Sequence, residues 1–235
     1  MLWYFNTLFK GLQKCGPFFY AKMNIMANGN LKIAVQKSGR LFEESMKLLK
    51  DCGIGVKGGL NKLKTEAENF PVDIYFFRDD DIPQYVEDGV ADIGIVGENV
   101  LYESKKQVTL VEKLGFGKCR LSLAVLRNAG YRQLSDLQGV KIATSYPNLL
   151  REFLNEKNIE AEIHEISGSV EIAPGIGLAN AIADLVSSGS TLMMNGLKEV
   201  ETILHSEAAL IRNNALNGNK LEILEKLLFR IRAVK

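Results

Sequence analysis

The chain has 235 residues, 46% hydrophobic and 24% charged, with a formal net charge of +1. That is enough to bury a globular core and too balanced for non-specific binding to nucleic acid or a membrane surface. Three cysteines without CxxC or metal-ligand spacing argue against a disulfide framework, and two distant histidines, His164 and His205, argue against zinc chemistry or a histidine triad.

Residues 1–30 stand apart. They are aromatic, carry Lys10 after the apolar stretch rather than before it, and contain neither arginine nor an acid, the first acid being Glu43. This fits neither a signal peptide nor a transit peptide. The expectation is an extension outside the fold, disordered or a misassigned start, with Met23 or Met26 as the alternative beginning. No apolar run approaches the roughly 20 residues that span a bilayer, and a cytoplasmic location is expected.

From Leu31 onward short apolar strands alternate with amphipathic helices. "LKIAV" reads as a strand and "GRLFEESMKLLKDCG" as a helix with Leu41, Met46, Leu48 and Leu49 inward and Gly53 as its stop. "VDIYFF" is a strand, and "RDDDIPQYVEDGV" a helix with Pro83 in its first turn and Asp80 or Asp81 as cap. "ADIGIVG" is a buried strand before the helix "ENVLYE"; "CRLSLAVL" and "GVKIATS" are strands, followed by the proline-opened helix "PNLLREFLNEKN". "AEIHEI" and "EAALIRN" read as strands, and "KLEILEKLLFRIRAVK" as a helix with Leu221, Leu224, Leu228 and Ile231 on one face. This alternation predicts an α/β fold with mixed, largely parallel sheets. A weak echo between "EDGVADIGIVGENV" and "ANAIADLVSSGSTL" sets Asp92 and Asp184 in equivalent places, and predicts two similar lobes with a ligand cleft between them.

Three stretches have the chemistry to hold an anion or a metal. In "ADLVSSGST" a strand, a glycine turn and a helix start bring backbone N–H groups together, Gly189 permits close approach, and Ser187, Ser188, Ser190 and Thr191 add hydroxyls. Asp184 is placed to accept hydrogen bonds from a sugar; the same residues also serve as an ordinary strand start and helix cap. In "QKSGRL", Lys37 and Arg40 flank a small-residue turn suited to phosphate, or to a solvated loop. The acids of "RDDDIP" suit indirect Mg²⁺ binding, a ligand amine, or plain helix capping.

Taken together, "LKIAVQKSGRL", "RDDDIPQYVEDGVADIGIVGENVL", "FGKCRLSLAV", "GVKIATSYPNLL", "SGSVEIAPGIGLANAIADLVSSGSTLMMNGLKEVE" and "KLLFRIRAVK" resemble the ATP phosphoribosyltransferase family over residues 31–235, in order and with few gaps. The resemblance implies a bilobal core like that of type II periplasmic binding proteins. Lobe I would comprise residues 31–117 and 196–235, lobe II residues 118–195, with the active site in the cleft. It implies transfer of phosphoribose from PRPP to N1 of ATP with Mg²⁺, releasing pyrophosphate, as the first step of histidine biosynthesis. By the same resemblance Glu171 and Asp184 are catalytic. Asp184, Ser187, Ser188, Gly189, Ser190 and Thr191 hold PRPP; Lys37, Arg40 and Asp92 serve ATP or the polyphosphate; Mg²⁺ rides mainly on substrate, with no direct protein ligand. A homo-oligomer, with a separate regulatory subunit as a further option, is implied as well.

Three positions depart from the family pattern. Asn180 stands where aspartate is usual, Gly175 where a larger residue is common, and Ser188 where threonine is common. "QKSGRL" and "RDDDIP" look like the long form of the family, whose members continue past the position of Lys235 into a third, histidine-binding domain. The expectation is either a truncated chain or a bare catalytic core, and feedback through such a domain is not expected. The alternative readings are a catalytically weak or dead paralogue, kept open by Asn180, or a bilobal small-molecule binding module.

Overall fold

The computed structural model describes residues 29–56 and 63–235, so the expectation for the N-terminal extension lies outside it but for Gly29 and Asn30. In chain order the elements begin β1 (Leu31–Gln36), α1 (Arg40–Asp51), β2 (Lys64–Glu66), β3 (Val72–Phe77), α2 (Ile82–Glu87), β4 (Ile93–Gly97), α3 (Glu98–Ser104) and β5 (Val108–Lys113). They continue β6 (Cys119–Leu126), β7 (Lys141–Thr144), α4 (Pro147–Glu156), β8 (Glu162–Glu165), β9 (Ala181–Val186), α5 (Ser190–Met194), β10 (Leu197–Ser206), β11 (Ala208–Asn213) and α6 (Gly218–Val234). Short 3-10 turns precede α2 and β9 at Asp79–Asp81 and Val170–Ile172.

Two sheets result, in the orders β2-β3-β1-β4-β11-β5 and β10-β6-β9-β7-β8. Parallel pairing, expected to dominate, is confined to β3-β1-β4 and β9-β7-β8. β2 and the returning strands β11, β5, β6 and β10 pair antiparallel. Parallel neighbours need long crossovers, and the chain spends its helices there.

The period-2 alternation of the strands sorts the first sheet's side chains onto two covered faces. Ile33, Val35, Ile74 and Ile95 pack against Leu48 and Leu49 of α1 and Leu224, Leu228 and Ile231 of α6, as the helix periodicities anticipated. Ala34, Val96 and Ile211 face Ile82 and Val86 of α2 and Val100 of α3. That approach is close: a Cβ on Gly94 would lie 2.6 Å from the Ile82 methyl, so the strand needs glycine there. The second sheet likewise packs Leu123, Ile142 and Ala183 against Leu150 and Leu154 of α4, and Ala124, Ile182 and Val186 against Leu192 and the 170–173 turn.

The chain crosses between the sheets twice, after β5 and after β10. The crossing segments pair through Leu114 N–H to Ala208 O at 2.8 Å and Ala208 N–H to Phe116 O at 2.9 Å. Residues 197–206, expected in the first lobe, instead form β10 on the edge of the second sheet, where Leu197 through Ser206 pair with β6. The chain therefore returns to the first sheet at Ala208, the start of β11, rather than at residue 196. No side-chain cap bond comes from Asp80 or Asp81, because Asp79–Asp81 already form a 3-10 turn leading straight into α2.

Candidate active site

The C-terminal ends of the central parallel strands of both sheets open onto one cleft, the place where α/β folds collect ligands. A cavity of about 920 Å³ is lined by Lys37 and Ser38 after β1, by Arg78, Asp79 and Asp80 after β3, and by Ser145, Tyr146, Asn148 and Arg151 after β7. Cations and acids therefore face each other across a polar space that fits a polyanion accompanied by a divalent ion.

One contact ties this cleft to the end of β9. Arg40 Nη2 donates to Ser187 Oγ at 3.2 Å, across 147 residues of sequence. It joins the first turn of α1 to the loop 187–191 that begins α5, so the two stretches whose sequence suits an anion meet. The loop turns at Gly189, φ +81°, a left-handed conformation costly for a residue with a Cβ. Ser187, Ser188, Ser190 and Thr191 are exposed, and Ser188 Oγ lies 3.0 Å from Ser190 Oγ.

Asp184 lies three residues before this loop, two-thirds of the way along β9. Burial pushes its carboxyl above the ordinary aspartate range, and the charge of Glu171 pushes it further, against a 2.7 Å hydrogen bond from Leu185 N–H. Glu171, in the Val170–Ile172 turn over β9, thus sits close enough for its field to act on Asp184. Across the cleft, desolvation and then Asp79 and Asp81 raise the Asp80 carboxyl, while Arg78 opposes them.

Residues not singled out in the sequence complete the cleft. Burial, with the negative fields of Asp184, Asp80 and Asp79 added, raises the Tyr146 hydroxyl far above its usual range, so it stays a neutral phenol. Its oxygen accepts from Asn99 Nδ2 at 3.2 Å. Asn99, buried at the start of α3, is fixed in turn by Ser206, which donates to Asn99 Oδ1 at 2.9 Å and accepts Asn99 N–H at 3.0 Å. One helical turn on, Glu103 accepts Asn148 N–H and Leu149 N–H at 2.9 Å each. A carboxylate from the first half thereby satisfies the orphan donors at the N-terminus of α4 in the second. The only sequence signal was "TSYPN", a strand end running into a proline-opened helix.

Two foreseen residues lie elsewhere. Asp92 precedes β4, at the opposite end of the sheet from the cleft. Its carboxylate accepts Lys32 N–H at 2.8 Å and pairs with Lys220 Nζ at 2.8 Å, so it clamps the starts of β1 and β4 to α6 and is no polyphosphate ligand. Asn180 holds the same post in the second sheet: it accepts Lys141 N–H at 3.0 Å through Oδ1 and donates its own N–H to Lys141 O. The two lobes therefore align Asp92 with Asn180 and not with Asp184, an offset of four residues from the echo read in the sequence. An amide oxygen does this work as a carboxylate does, and the departure at Asn180 takes no charge from the cleft. Gly175 is exposed, and a Cβ there meets only Ile172 O at an ordinary 3.5 Å; nothing in the structure demands glycine.

Among the described residues no group of three or more histidine, cysteine or acidic side chains converges to hold a metal ion unaided. Asp79 and Asp80 nonetheless face the cleft as hard oxygen donors, which suits an ion that arrives with substrate oxygens and keeps several waters. No helix among the described residues is long and apolar enough to cross a membrane.

Known proteins resemble this chain in sequence and in fold. The profile of the family described as ATP phosphoribosyltransferase matches residues 78–233. Relatives named ATP phosphoribosyltransferase from Cytophaga hutchinsonii and Parabacteroides distasonis are 59% and 56% identical over 205 residues, covering 87% of this chain and 72% of theirs. The ATP phosphoribosyl transferase (HisG:HisZ) complex from Thermotoga maritima superimposes with a TM-score of 0.75 at 28% identity, over 87% of this chain and 98% of that one. Tv2483 bound to L-arginine, at 15% identity and a TM-score of 0.61 over 90% of this chain and 87% of its own, shares the bilobal fold.

Proposed function

The chain belongs to the ATP phosphoribosyltransferase family, and from that premise we propose how its cleft carries the reaction. The enzyme is a glycosyltransferase that moves phosphoribosyl from PRPP to N1 of ATP, releasing pyrophosphate, at the first step of histidine biosynthesis.

In our reading the 5′-phosphate of PRPP sits on the loop 187–191, whose exposed hydroxyls surround the left-handed turn at Gly189. Asp184 accepts hydrogen bonds from the ribose hydroxyls, and Glu171 adds negative field beside it. Lys37, Arg78 and Arg151, which line the cavity, offset the charge of pyrophosphate and of the ATP phosphates, together with Arg40 beside the loop 187–191. As pyrophosphate leaves, the ribose gains positive character. The carboxylates of Asp184 and Glu171 stabilise that charge from one side while the cations receive the departing group on the other. No covalent nucleophile is needed, because in-line placement of N1 and preorganised charge supply the acceleration. Tyr146, held neutral, offers a fixed phenol at the junction of the two substrates.

Mg²⁺ is the proposed cofactor; Asp79 and Asp80 would hold it together with substrate oxygens and water, and it would supply charge neutralisation for the pyrophosphate leaving group. The two-lobe division, placement in the cytoplasm, self-association and a separate regulatory subunit also belong to this reading. The last is prompted by the partnered Thermotoga maritima complex.

The observation that carries the site assignment is the Arg40–Ser187 contact, which joins two independently recognisable phosphate-binding stretches across one cleft. The test is incubation of the purified protein with ATP, PRPP and Mg²⁺, following N1-alkylated adenine by ultraviolet absorbance. Product is expected, and loss of PRPP binding on replacing Ser190 and Thr191 by alanine and valine is expected with it. PRPP affinity unchanged in that variant contradicts the placement.

A further inference from the structure

We propose that Arg120 is a positioning residue for PRPP, acting through the backbone carbonyl of Ser187 and held in place by Glu199. The inference rests on the reading of the loop 187–191 as the phosphate cradle.

A loop of exposed serines around a glycine needs an anchor to present its N–H groups and hydroxyls in one arrangement. Its own side chains supply little: no side-chain cap bond closes α5, and Ser188 and Ser190 mainly contact each other. The anchor is Ser187, gripped from two directions. Arg40 reaches its hydroxyl from across the cleft, and Arg120 Nη1 reaches its carbonyl oxygen at 3.4 Å from within the same lobe.

Arg120 is aimed by the sheet. It lies on β6 directly opposite Val186, the last residue of β9, so its side chain emerges where the strand gives way to the loop. Glu199 on β10, the neighbour of β6 on its other side, fixes the guanidinium as a fork: Nε to Oε1 at 2.5 Å and Nη2 to Oε2 at 2.6 Å. That leaves Nη1 free to serve Ser187. Arg120 in turn holds the Glu199 carboxyl below its usual range. Glu199 on β10 and Arg120 on β6 are thereby linked side chain to side chain, and Arg120 ties both to the backbone just past β9, at the root of the cradle.

The pair is about a third exposed, at 31% and 26%, and exposed pairs of this kind add little to stability. Its consequence is geometric. A lysine at position 120 has the charge but no planar fork, and cannot grip Glu199 at two points while donating to the loop. The same cation also lines a hollow beside Ser188 and Gly189, so direct contact with substrate is the role that must be distinguished.

The test is steady-state kinetics on the full chain with Arg120→Lys, Glu199→Gln and, as a control on the cradle itself, Ser190→Ala. Loss of one anchoring hydrogen bond is expected to raise KM for PRPP about fivefold to tenfold. The expected result is that rise in both Arg120→Lys and Glu199→Gln, with KM for ATP and the thermal midpoint unchanged. A rise in Arg120→Lys alone assigns direct substrate contact and overturns the positioning role. Equal rises in both KM values with a lowered midpoint overturn it in favour of a merely structural pair. If Ser190→Ala raises KM for PRPP and neither pair variant does, the inference fails while the cradle stands. If none of the three moves it, the cradle reading itself fails.

Discussion

Glu103 and Leu149, 46 residues apart in sequence, meet across the cleft, the Glu103 carboxylate accepting the Leu149 N–H at 2.9 Å. The other carboxylate oxygen takes Asn148 N–H at the same distance, and Asn148 Nδ2 returns a bond to Glu103 O at 3.0 Å. With Asn99 on the preceding turn holding Tyr146, one face of α3 grips the start of α4 at consecutive points. This clasp joins the two halves beside the cleft and fills the N-terminus of α4, so those N–H groups are not open to the phosphate of the proposed substrate.

Replacing Glu103 by alanine opens the clasp and strips the cap from α4. Caps of this kind contribute about 0.5–2 kcal/mol, so denaturant unfolding is expected to show a loss in that range. Tyr146 loses its fixed position, and kcat/KM is expected to fall about tenfold for both substrates, a barrier change of about 1.4 kcal/mol. Unchanged kcat/KM alongside the stability loss would confine the clasp to folding.

The raised carboxyl of Asp184 sets the pH dependence. In the proposed site the ionised form accepts hydrogen bonds from ribose, so the acid limb of kcat/KM for PRPP is expected above the ordinary aspartate value of 3.8. Glu171 raises Asp184 further by its negative charge. Glu171→Gln removes that contribution and moves the limb to lower pH, whatever it does to the maximum rate. A limb that stays put or moves to higher pH contradicts the coupling.

Asp92 and Asn180 make a paired test of the strand-start clamps. Asp92→Asn keeps an oxygen for Lys32 N–H and loses the ion pair with Lys220, whose partner is buried to 11% exposure. A stability loss of about 1–3 kcal/mol is expected, with KM for ATP unchanged. Asn180→Asp is expected to leave KM for PRPP unchanged too. A several-fold change in either constant would return that residue to the cleft.

The clamps also show where sequence reading reached its limit. Periodicity recovered the main strands and the inward faces of α1 and α6, because burial on one side of a strand or helix writes itself into alternation. It missed β2, whose three residues are too few to show a period, and β5 and β10. The last mixes Lys198, Glu199, Glu201 and His205 into an edge strand with two irregularities in its register. In the echo, two Ala-Asp pairs drew attention to Asp92 and Asp184. The structural repeat instead runs through Asp92 and Asn180, since an amide and a carboxylate oxygen clamp a strand start equally well. The glycine turn of the loop 187–191 was legible because glycine and hydroxyls cluster within a few residues. Asn99, Glu103 and Tyr146 were not, because their meaning lies in contacts between halves of the chain that share no local pattern.

The most direct measurement of the central claim compares turnover and stability in Asp184→Ala. Burial raises the Asp184 carboxyl in the folded state. Its favourable contribution is therefore present below the unfolded pKa and lost as pH rises through the folded one, so at neutral pH the charged group costs stability. The variant is expected to fold, to melt no lower than the wild type at neutral pH, to bind ATP, and to form no N1-phosphoribosyl product. Turnover near the wild-type rate in that folded variant would contradict the account.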